Sequence, residues 1–200
     1  MTEKLKGIAG SMFAGKTDIL ITEARRCEYR KKNVLVFKPV IDNRWGGSSL
    51  IKSHSGQEFP AIPVSTPMEI LETVKQFISD GGKIDLVGID EIQFFTDEIV
   101  DVIKVLLEAD IKVIFAGLST DFRGEPFGSM PNLLSLSDEI IRPTAVCEIC
   151  GDEATRTQRL NHGHPANYSD PLVVIGDHDQ YQARCPSHHE VPGKPKPKIK

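Results

Sequence analysis

The sequence predicts an α/β fold: a mainly parallel sheet with helices on both faces, followed by a small appendage rich in cysteine and histidine. Three observations carry this reading. Short apolar runs alternate with helical stretches as far as Leu118. A glycine-rich loop, "GSMFAGKT" (10–17), stands where the first apolar run gives way to the first helical stretch. Three of the four cysteines (Cys147, Cys150, Cys185) fall in the last third of the chain, away from Cys27.

Each element follows from its pattern. "LKGIAG" (5–10) reads as a short buried strand running into the loop. Over 16–31, Leu20, Ala24 and Cys27 recur on one helical face, with Arg25, Arg26 and Arg30 mostly outward. "NVLVFKP" (33–39) is a strand stopped by Pro39. In 68–80, Leu71, Val74 and Ile78 keep a helical period that Gly81 and Gly82 close. "IDLVGID" (84–90) is nearly continuous in apolar residues, as a strand covered on both faces should be. An amphipathic helix over 97–110 and a buried strand over 112–118 follow. Residues 40–57 lack periodicity and hold several Gly and Ser, the mark of a long functional or mobile loop. Beyond Leu118, "STDFRGEPFGSMPN" is rich in turn formers. The expected organisation is a nucleotide-binding α/β domain over 1–143, a metal-binding domain over 144–191 and a mobile Lys/Pro tail over 192–200.

Composition bounds the function. With 40% hydrophobic and 26% charged residues, 200 residues suit one soluble domain with an appendage. No apolar run reaches the ~18 residues of a membrane span. The opening "MTEKLKGIAG" lacks the apolar core of a signal peptide, so a cytoplasmic protein without membrane contacts is expected. A net charge of −4 disfavours broad nucleic-acid binding, which needs a basic face. Cysteines in such a compartment point to metal binding or free thiols rather than disulfides.

The loop fits a phosphate cradle. Gly10 and Gly15 allow the backbone to turn its N–H groups inward, with Ser11, Met12, Phe13 and Ala14 completing the loop. Lys16 can reach the outer phosphates and the Thr17 hydroxyl can coordinate Mg²⁺. A strand before and a helix after is the context this motif requires, and it makes the α/β part P-loop NTPase-like. Asp90, at the end of an apolar strand, could hold Mg²⁺ directly or through water; Glu91 and Gln93 lie at the same mouth. These residues alone say that ATP or GTP binds with Mg²⁺, and leave hydrolase, kinase and switch open.

Cys147-Glu-Ile-Cys150 and Cys185-Pro-Ser-His188 supply four soft or borderline ligands for tetrahedral Zn²⁺, with His189 an alternative fourth. No acidic ligand or open position is evident, so the expected role is structural, stapling a region with few apolar residues.

In this order, "GSMFAGKT", "DNR" (42–44), "DEIQFF" (90–95), "DFRGEPFG" (121–128), "CEIC" (147–150), "RTQR" (156–159) and "VVIGDHDQYQARC" (173–185) resemble the type II, zinc-containing thymidine kinase family of cells and bacteria over about residues 5–192. The resemblance implies transfer of the ATP γ-phosphate to the 5′-hydroxyl of thymidine, and of deoxyuridine, in nucleoside salvage. It makes Glu91 the general base, Asp90 the partner of Thr17 at Mg²⁺, and Arg44 a neutraliser of phosphate charge. Around the base it places Met12, Phe94, Leu118, Phe122, Thr157 and Tyr181, with a lasso-like loop near 160–172 and residues Leu172, Val173, Val174, Ile175 and Gly176 closing over thymine. Met12 and Leu118 equally suit a plain core, and Phe122 a loop anchor. His162 and His164 in the lasso read as solvent-facing. The family is a homotetramer inhibited by dTTP, and both features are implied here by the resemblance alone. The rival class is a nucleotide-switched module whose zinc ribbon contacts nucleic acid; the acidic charge counts against it.

Overall fold

In a computed structural model of the chain, residues 4–41, 49–173 and 180–196 are described. The elements run β1 (Leu5–Gly10), α1 (Lys16–Tyr29), β2 (Val34–Pro39), β3 (Leu50–Lys52), β4 (Glu58–Pro60), β5 (Ile62–Val64), α2 (Pro67–Ser79), β6 (Leu86–Ile89), α3 (Glu98–Glu108), β7 (Lys112–Leu118), α4 (Met130–Leu136) and β8 (Glu139–Ile141). The last part contributes β9 (Ala145–Val146), β10 (Glu153–Ala154), β11 (Arg156–Asn161), β12 (His164–Pro165) and β13 (Tyr181–Arg184).

Six strands form one sheet in the order β5-β2-β6-β7-β1-β8, and every pairing in it is parallel. Side chains alternate across it, so the four inner strands β2, β6, β7 and β1 each feed two cores. Leu5, Phe37, Val87, Ile89 and Phe115 face α2, α3 and α4, meeting Ile70, Val74, Ile99, Ile103 and Leu133. Ile8, Val36, Ile114 and Ala116 face α1 through Leu20, Ile21 and Ala24. Helices therefore cover both faces. The central strands β6 and β7 are apolar nearly throughout because they show no face to water.

Short elements escape sequence patterning, the edge strands β5 and β8 among them. The stretch expected as a long loop ends in an antiparallel hairpin, β3 on β4, whose Ile51 and Phe59 cover the α1 face of the sheet. Three-residue strands are too short to show a period. Helix α4, a single seven-residue segment with Pro131 in its first turn, lies in the region read as turns and seats Met130 and Leu133 in the larger core.

After β8 the chain passes beside the glycine-rich loop: a Cβ built on Gly10 would lie 2.7 Å from the Pro143 carbonyl oxygen. It then forms a β9–β10 hairpin and a three-stranded antiparallel sheet, β12-β11-β13. This lobe buries little large apolar surface. Its core is Ala145, Cys147, Ala154, Ala183 and Cys185, joined by Ala14 and flanked by Phe13 of the loop. The stretch read as a mobile tail begins tied down. The Tyr168 N–H donates to the Pro192 carbonyl, and Lys194 pairs with Glu125 at 3.0 Å.

Candidate active site

The glycine-rich loop sits at the C-terminal edge of the parallel sheet, where an α/β fold gathers loops and helix N-termini. Gly15 takes φ 75° just before α1, a conformation open to glycine at little cost, and Phe13 also lies at positive φ, 65°. Two left-handed residues this close bend the backbone into the kind of concavity that can bind an anion through its N–H groups. Lys16 is buried, and its Nζ donates to the Ser11 carbonyl at 2.7 Å, closing the loop on itself.

The two acidic neighbours come from the next strand but one. Asp90 follows β6 and is buried, and the Thr17 hydroxyl donates to its Oδ2 at 3.1 Å. Two oxygen ligands on adjacent corners of an Mg²⁺ octahedron would be about 3.0 Å apart, given metal–oxygen bonds of about 2.1 Å. The pair therefore fits a Mg²⁺ site. Glu91 has φ 49°, a left-handed backbone that a glutamate adopts only at a cost of about 1–3 kcal/mol. That turn lifts its carboxylate out of the strand direction and starts the short 3-10 turn Ile92–Phe94.

Gln93 fixes Glu91. Its Nε2 donates to Glu91 Oε2 at 2.5 Å, and its Oε1 accepts the Leu118 N–H at 3.0 Å. Gln93 is expected among the phosphate contacts; here both ends of its amide are committed inside the protein. Two glycines let it fit, since a Cβ on Gly117 would lie 2.6 Å from Gln93 Oε1 and one on Gly128 2.5 Å from its carbonyl oxygen. Phe94 stacks edge-on against Phe127 at 5.7 Å, and Leu118 ends β7 beside them.

The second lobe reaches the loop directly. The Met12 N–H donates to the Thr157 hydroxyl at 3.0 Å, and the Ser11 hydroxyl to the Ala154 carbonyl at 3.3 Å. Thr157, expected against the base, thus holds the phosphate loop through its hydroxyl. Phe122 is buried below a tight turn in which Asp121 Oδ1 accepts the N–H groups of Arg123 and Glu125. Tyr181 opens β13, paired across from Arg159. Leu172 and Val173 are exposed. Arg44, Val174, Ile175 and Gly176 lie outside the described residues. His162 and His164 stand exposed at the β11–β12 hairpin.

Ligand atoms of Cys147, Cys150, Cys185 and His188 all lie within 4.8 Å of one another. The Cys150 and Cys185 sulfurs are 3.8 Å apart, and His188 Nδ1 is 3.8 Å from the Cys147 sulfur and 3.2 Å from that of Cys185. A tetrahedron with zinc–sulfur bonds of about 2.3 Å has sulfur–sulfur edges of about 3.8 Å, so the cluster fits a metal such as zinc. Burial pushes the Cys147 thiol up, but hydrogen bonds from the backbone of Cys185, Ile149 and Cys150 outweigh it and hold the thiol down to about 6. The Cys150 thiol moves the other way: a hydrogen bond from the Asp152 backbone lowers it, but burial and side-chain hydrogen bonds with Asp152, Cys147 and Cys185 push it up to about 12, so the two sulfurs titrate as a pair. His189, the alternative ligand, turns away and donates from Nε2 to the Phe122 carbonyl at 2.9 Å.

Sequence reading missed the structural use of Gln93, Arg123 and Arg159. Spacing holds no signal for Gln93. For Arg159, a signal exists: it shares a face of β11 with Thr157, so a charged residue alternates inward there.

Among the described residues, no helix is long and apolar enough to cross a membrane. Comparison with known proteins is decisive for the family. A thymidine kinase from Coprothermobacter proteolyticus is 49% identical over 190 residues, spanning 95% of this chain and 92% of that one. Among solved structures, a DNA replication initiation factor superposes with a TM-score of 0.41 at 13% identity, over 70% of this chain and 40% of that one. Domain III of the Thermotoga maritima replication initiation protein DnaA gives 0.41 at 12% identity, over 72% and 56%. Likeness at that score decides nothing about this chain. The family model for thymidine kinase matches residues 3–189, so the chain belongs to the thymidine kinase family.

Proposed function

We propose that this protein transfers the γ-phosphate of ATP to the 5′-hydroxyl of thymidine, giving dTMP, with deoxyuridine as a second acceptor. Family membership carries the substrates. The observation that carries the chemistry is the convergence of the phosphate loop, the Thr17–Asp90 pair and the oriented Glu91 at one edge of the sheet.

Phosphoryl transfer asks the protein mainly for positioning and charge stabilisation. N–H groups of the loop 10–15, apart from that of Met12, which is committed to Thr157, receive the β- and γ-phosphates, and Lys16 leaves the Ser11 carbonyl for phosphate oxygens. Thr17 and Asp90 hold Mg²⁺, which when bound offsets charge on the phosphates. Glu91 accepts the 5′-hydroxyl proton as that oxygen attacks phosphorus, and Gln93 keeps its carboxylate aimed. Arg44 adds positive charge at the transferring group. Thymine is taken between Phe122, Phe94, Leu118, Met12 and Tyr181, with the segment from Leu172 to Gly176 closing over it. The four-ligand cluster holds zinc in a structural role. The α/β part over 1–143 and the lobe over 144–191 act as donor and acceptor halves of one site. A cytoplasmic homotetramer inhibited by dTTP is part of the same reading and rests on the family alone.

The test is product identity. Incubation with ATP, Mg²⁺ and thymidine should yield dTMP and ADP in equal amounts. ATP hydrolysis that is indifferent to thymidine but stimulated by DNA would favour the nucleic-acid switch instead.

A further inference from the structure

Arg159 projects from β11 with only 3% of its surface exposed, an unusual position for a guanidinium. Its partners explain why it is tolerated. Its Cζ stands 3.8 Å from the Phe122 ring centroid. Its Nη1 donates to the Pro171 carbonyl, and its Nη2 lies 3.8 Å from Asp170 Oδ2. One planar cation thus touches both the aromatic wall and the end of the lasso. Arg123 contacts the same pieces. Its Nη2 donates to the Asp170 carbonyl at 2.8 Å, and its Cζ lies 5.1 Å from the Tyr168 ring and 5.3 Å from that of Phe122. Asp170 in turn accepts the Asn167 N–H at 3.0 Å, so residues 167–171 form a turn gripped by two guanidiniums. The Phe122 backbone is pinned separately by His189.

We propose that Arg159, seconded by Arg123, is a positioning residue for the nucleoside: its guanidinium locks the Phe122 ring to the Pro171 carbonyl and the Asp170 carboxylate and so sets the width of the thymine slot. This rests on the placement of thymidine against Phe122 proposed above. Arginine suits the task and lysine does not. Stacking on a ring while donating to a carbonyl and facing a carboxylate needs a flat, forked cation, and an ammonium is a point charge that cannot stack. Among the described residues, the contacts of the two guanidiniums run to the Phe122 ring, Tyr168 and the 170–171 turn, on the acceptor side, so their influence is expected on the acceptor more than on the donor.

The experiment is Arg159→Lys in the full chain, with KM for thymidine and for ATP measured separately and thymidine binding measured by calorimetry. The expected result is a rise in thymidine KM and Kd of about tenfold or more, the size of losing a charge-assisted contact, with ATP KM unchanged. Phe122→Leu supplies the second arm. In that background Arg159→Lys should add little, because the ring it positions is gone. Equal rises in both KM values would mark a general structural role and overturn the proposal. So would a thymidine KM equal to wild type, or full additivity with Phe122→Leu. A wild-type protein that makes no dTMP would instead break the functional reading itself, which keeps the two failures apart.

Discussion

The sheet half and the cysteine-bearing lobe meet at one site but are held together by different physics. The sheet half rests on two large apolar cores in which Phe37, Phe115, Ile89 and Ile103 are fully enclosed. The lobe's core is alanine and cysteine, and the side chains it buries along β11 and β13 include Thr157, Gln158, Arg159 and Arg184. Burial at ~25 cal/mol per Å² can hold the first. It cannot hold the second, where polar contacts and the four-ligand cluster, once a metal is bound, would take its place. The difference matches the division of labour. Under the proposed function, the sheet half would serve as a rigid cradle for charged phosphates and the lobe as a surface that can be shaped around a small base.

The comparison breaks most sharply on metal removal. Chelation, or Cys147→Ser, should loosen residues 145–191 while β1, β6 and β7 keep their protection. Hydrogen exchange reads this directly, and metal content should be close to one per chain before treatment. Equal loss of protection in both halves would erase the distinction. Phe115→Ala tests the other side: loss of a fully buried ring should cost about 3–5 kcal/mol in denaturant unfolding, with metal content unchanged. Gln93→Leu should remove the support of Glu91 while keeping the volume, lowering kcat about tenfold or more and leaving ATP affinity intact, as isothermal titration with ATP would show. Thr157→Val, which removes only the hydroxyl bridging lobe and loop, should cost about 1 kcal/mol, with Thr157→Ser near wild type by thermal unfolding.

Which parts of the molecule were legible follows from the same physics. Runs such as "IDLVGID" and "KVIFAGL" have few alternatives to a buried strand, and Leu20 with Ala24 marks its helix face unaided, so the four inner strands and the main helices could be read in order, while the short edge strands β5 and β8 could not. The phosphate loop and the cysteine pairs were legible because their chemistry demands fixed spacing. The β3–β4 hairpin was not, being too short for a period. Gln93, Arg159 and the Thr157–Met12 contact were not, because each depends on partners 12 to 145 positions away in the chain or on the exact reach of one side chain. The lobe was harder to read than the sheet for the reason it is built differently: polar contacts leave no apolar pattern.

The central claim is that Glu91 takes the acceptor's proton at a site where the two halves meet. Single-turnover transfer from ATP to thymidine by Glu91→Gln, in a protein shown by calorimetry to bind both substrates, tests it most directly. The prediction is a rate about 10²–10⁴-fold below wild type with both substrates still bound. Transfer near the wild-type rate would contradict it.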